Sequence, residues 1–109
     1  MVKWTLVIEQ LMNLTTFVHG TVGMFMFILE ELTQALAMAC YNYKQVQNWN
    51  KVIEVANYAI YEVINPAIEW INTYGHLAYP LNDAYREFFT GVRKTFESYI
   101  TLAQNPPQK

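Results

Sequence analysis

From Trp49 onward the apolar residues return at alternating steps of four and three: Trp49, Ile53, Ala56, Ile60, Val63, Ala67, Trp70 and Tyr74. A helix turns once in 3.6 residues, so this spacing lines up one unbroken seam over about seven turns, as in the helices of a bundle. The opposite side mixes Lys51, Glu54, Glu62, Asn65, Glu69 and Asn72 with Tyr58, Tyr61, Ile64 and Ile68, which predicts a second, half-apolar face. Pro66 interrupts the pattern, and Asn65 before it is a residue type that caps helices. The seam keeps its phase across Pro66, so a kinked helix over residues 49–74 is expected, with two separate helices as the alternative. Gly75 offers a left-handed cap, and Pro80 opposes continuation.

A last helix is expected over residues 81–103. Leu81, Tyr85, Phe88, Val92, Phe96, Tyr99 and Ala103 share one face, and Asp83, Arg86, Glu87, Arg93, Lys94 and Glu97 another. The N-terminal part reads as two helices, about 2–18 and 22–43. Their stripes are Trp4, Val7, Leu11, Leu14 and Val18, then Phe25, Ile28, Leu32, Ala35 and Ala39. Gly20 and Gly23 lower helix propensity between them, so a turn or sharp kink is expected there, folding the two into a hairpin. The fold class is therefore all-α: a single domain over 1–109, four-helix bundle-like, with a hydrophobic N-terminal helical hairpin and two long C-terminal helices. Gly20, Gly23, Pro66 and Gly75 are its expected hinge or kink positions.

Composition changes the picture at one point. Only 15% of the 109 residues are charged, against about 25% in an ordinary soluble domain, while 53% are hydrophobic and 16% aromatic. Small domains have the most surface per residue, so a chain this poor in charge is expected to cover part of its surface with protein or lipid. The net charge of −2 provides no basic footprint for nucleic acid. Single Cys40 excludes an internal disulfide and a cysteine zinc site, and its apolar setting predicts a buried, inert thiol. No signal-peptide pattern opens the chain.

Catalytic and cofactor chemistry finds no foothold. A carboxylate-bridged di-iron bundle needs Glu three residues before His, whereas Thr16 precedes His19 and Thr73 precedes His76. Adjacent Glu30 and Glu31 diverge by about 100° around a helix and cannot share a proton; they are expected to mark a solvated edge. Gly20 and Gly23 lack the rest of a phosphate loop. No catalytic, cofactor-binding or metal-ligating residue is expected, and no enzyme activity.

The aromatic residues remain, several at places a bundle core does not need. Phe25, Phe27, Tyr58, Tyr61, Ile64 and Ile68 are the expected self-association residues, because such side chains bury area at protein interfaces and at membrane surfaces alike. Leu11 to Leu29 holds nineteen residues without a formal charge, about 28 Å as a helix, close to the ~30 Å of a hydrocarbon core. A small integral membrane protein, either a pore-former or a minor subunit of a membrane complex, is therefore one reading. Asn13, His19, three threonines and two glycines in that stretch weaken it.

A self-assembling subunit is the other reading. The two hydrophobic N-terminal segments "TLVIEQLMNLTTFV" and "MFMFILEELTQALAMA", followed by two seamed helices in a chain poor in lysine and acid, resemble the major capsid proteins of large tailed spindle-shaped archaeal viruses. The likeness is one of character over the whole chain. It implies a virion structural protein, a homopolymer of helical strands forming shell and tail around a DNA genome, with host membrane association before assembly. It supplies no catalytic residue and no direct nucleic-acid site.

Overall fold

The computed structural model describes residues 19–78 and 80–107. The expected helix over 2–18, with Trp4, Val7, Leu11, Leu14 and Val18, lies outside them. Among the described residues the chain is helical and contains no strand. Helix α1 is His19–Gln45, α2 is Trp49–Tyr58, a π-helical segment is Ala59–Ile64, α3 is Asn65–Tyr74, a 3-10 turn is Gly75–Ala78 and α4 is Asn82–Gln104.

Helix α1 passes through Gly20 and Gly23, so the expected turn does not fall at either glycine. Glycine costs a helix about 1 kcal/mol relative to alanine, and the packing of this long apolar helix outweighs that. The helix ends in a tight reversal. The Gln47 N–H donates to the Lys44 carbonyl at 3.0 Å and the Asn48 N–H to the Tyr43 carbonyl at 2.9 Å, the paired bonds of a Schellman cap. Gln47 takes the left-handed conformation this cap requires, with φ 57°. Asn48 then opens α2, its side chain accepting from the Lys51 N–H at 3.4 Å. One residue thus ends one helix and begins the next.

From Trp49 to Tyr74 the chain is one helical rod of three parts. Proline has no N–H, and in an α-helix its ring presses on the carbonyl four residues back. The π segment lies directly before Pro66, where the Asn65 N–H reaches five residues back to the Ile60 carbonyl. That wider turn takes the proline without breaking the rod. Gly75 is also helical, with φ −59°, so the left-handed cap expected there is replaced by a 3-10 turn.

Both α1 and α4 pack on the rod and on each other. The rod is buried on two sides: Val52, Val55, Ala56, Ala59, Ile60, Val63, Ile64, Ala67, Trp70 and Ile71 are core. Of the expected seam, Ala56, Ile60, Val63, Ala67 and Trp70 are buried, whereas Trp49, Ile53 and Tyr74 are half-buried edges. On α4 the core residues are Phe89, Phe96 and Ala103, seven apart, and Phe89 stacks edge-on with Phe88 at 5.2 Å. Leu81, expected on that face, is exposed.

Polar rungs fix the register of α3 on α4. The Arg86 Nε donates to the Asn72 Oδ1 at 2.9 Å, and the Arg93 Nη1 to the Asn65 Oδ1 at 3.0 Å. Each step is seven residues forward on one helix and seven back on the other, so the two run antiparallel. Arg86 is further held by Asp83 at 2.6 Å.

Left-handed backbone costs an L-residue about 1–2 kcal/mol, and glycine gives back part of that gain through unfolded-state entropy. Gln47→Gly is therefore expected to stabilise the fold by about 0.5–1 kcal/mol in urea denaturation. A loss of stability would show that the Gln47 side chain contributes more than its backbone costs.

Candidate self-association interface

Helix α1 is apolar on both sides. Inward lie Met26, Leu29, Cys40 and Thr33, all fully buried, with Leu32 and Leu36 packed beside them. Thr33 is the buried polar member, and its Oγ1 donates to the Glu30 carbonyl at 2.8 Å. Burial pushes the Cys40 thiol up to about 11; its Sγ faces the Val52 carbonyl at 3.8 Å. A thiol held in that state is a poor nucleophile.

Outward, the same helix presents Phe27 at 57% exposure, Ile28 and Tyr41 at nearly half, and Met38 at 60%, with Val46 just beyond its end. Phe27, Glu31, Gln34, Met38, Tyr41 and Gln45 recur at steps of four and three, a second seam on the side away from the core. Covering a large apolar side chain fully is worth about 1.5–3 kcal/mol, so these half-exposed groups each leave on the order of 1 kcal/mol unused. Glu31 is the only charged residue within that outward seam.

The flank of this face is polar at both ends. Glu30, Ala37 and Lys44 lie seven apart along one edge. Desolvation, and then neighbouring Glu31, raise the Glu30 carboxyl above its ordinary 4.5. At the other end the Lys44 ammonium stands 6.0 Å from the Tyr41 ring. Helix α4 borders this edge: burial, and then Glu30, push the Tyr85 phenol up, while burial, Cys40 and Tyr41 do the same to Tyr99. The reversal between α1 and the rod and the antiparallel rungs between the rod and α4 make α1 and α4 run in the same direction.

The residues expected to self-associate are divided by the structure. Phe27 and Tyr61 are exposed, Tyr61 at 64% on the outside of the π turn. Tyr58 and Ile68 are half-buried and packed on the core. Ile64 is fully buried, because the π turn brings it round to the core side beside Ile60; it is not an interface residue. Phe25 lies outside the residues whose side chains are described.

The expected stripe on α1 is likewise rotated: Ile28 and Ala35 face out, while Met26, Leu29, Thr33 and Cys40 face in. Sequence reasoning missed Met38, Tyr41 and Val46 as surface residues, although the spacing from Phe27 to Gln45 marks the outward seam.

No group of three or more metal-capable side chains occurs among the described residues. No described helix is long and apolar enough to cross a membrane; the candidate stretch from Leu11 to Leu29 begins outside them.

Because folding raises the Glu30 pKa, the folded chain binds that proton more tightly than the unfolded chain. Its contribution to stability is greatest below the unfolded value near 4.5 and falls as pH rises through the window above it. Glu30→Gln is expected to be more stable than the parent at neutral pH and to gain less on acidification, as read by urea midpoints at pH 4 and pH 7. An unchanged pH dependence would assign the shift to another group.

Family models, curated proteins and solved structures, compared with the chain, gave no match.

Proposed function

We propose that the chain is a structural, self-assembling subunit of the capsid kind, whose copies build a helical homopolymer through apolar and aromatic contacts. The observation that carries this reading is the outward side of α1, where Phe27, Ile28, Met38 and Tyr41 stand in solvent on a chain with only 15% charged residues. Single exposed apolar residues are ordinary; two groups of them on one side of one helix, Phe27 with Ile28 and Met38 with Tyr41, are what a contact surface supplies.

Tyr61 and Leu81 add exposed apolar groups on other elements. A subunit needs at least two distinct contact surfaces to grow into a polymer rather than stop at a dimer. In this reading residues 1–18 supply the fourth helix of a bundle, forming the hydrophobic N-terminal hairpin with α1. The polymer forms a virion shell and tail, its lumen is filled by a DNA genome without a dedicated basic site, and the host membrane is an earlier resting place of the subunit. Low charge suits an acidic medium, because few carboxylates must be neutralised as pH falls.

The test is purification without detergent followed by electron microscopy and light scattering. Polymers of uniform width are expected; a monomer or small oligomer that needs detergent would favour the small membrane protein instead. Tyr61→Lys is expected to keep the helicity and melting of the unassembled chain and to reduce assembly at least tenfold. Ile64→Lys, which buries a charge, is expected to unfold the chain. If Tyr61→Lys unfolds it equally, the exposed ring is part of the fold and not of a contact.

A further inference from the structure

We draw no further inference here: the strongest candidate, the exposed apolar patch that Phe27, Ile28, Met38 and Tyr41 form on the outward side of α1, carries nothing because nothing in the structure shows what covers it.

Discussion

A proline stands two-thirds of the way along the helix against which everything else packs. The rod from Trp49 to Tyr74 is covered by α1 on one side and α4 on another, so a break at Pro66 would divide the core in two. The π turn over Ala59–Ile64 prevents that, with the Asn65 N–H bonded to the Ile60 carbonyl rather than to the usual partner one residue nearer. Its consequences reach both the inside and the outside of the molecule: Ile64 is buried and Tyr61 is thrust into solvent. Small Ala56, Ala59 and Ala67 are fully buried along the rod. The Asn65–Arg93 and Asn72–Arg86 rungs hold the register where the apolar contacts alone would let α4 slide.

How much of this could be read from the sequence depended on how one-sided each helix is. The rod was legible from its four-and-three spacing, and its bounds at Trp49 and Tyr74 are those expected, because a strong seam bounded by Asn48 and Gly75 leaves little freedom. The details of its faces were not. A pattern drawn on an ideal α-helix cannot contain the extra residue of a π turn, so it places Ile64 outside; a single seam also omits Val52 and Ala59, because the rod is buried on two sides. On α4 the neighbours Phe88 and Phe89 compete for one place in the core, and the stripe alone does not say which wins. Helix α1 is the least legible: with apolar residues on more than one side, its spacing does not orient it, and the expected stripe runs through Ile28 and Ala35 instead of Met26, Leu29 and Cys40.

That same ambiguity is what gives α1 its functional interest. An ordinary surface helix has one apolar face because water forbids a second. This helix adds Phe27, Ile28, Met38 and Tyr41 on its outward side, among Glu31, Gln34 and Gln45. Apolar attraction is not directional, so such a face by itself would hold many partners in many poses. Under the proposed self-assembly, scarcity of charge leaves surface for neighbouring copies.

The central claim, that the outward apolar groups are covered by other copies, is tested most directly by hydroxyl-radical footprinting of the same preparation dispersed and assembled, with modification read by mass spectrometry. Met38 and Tyr61, each exposed in the single chain, are expected to lose at least fivefold in reactivity on assembly, while Phe96, already buried, stays unreactive in both states. Equal labelling of Met38 and Tyr61 before and after assembly would contradict the account.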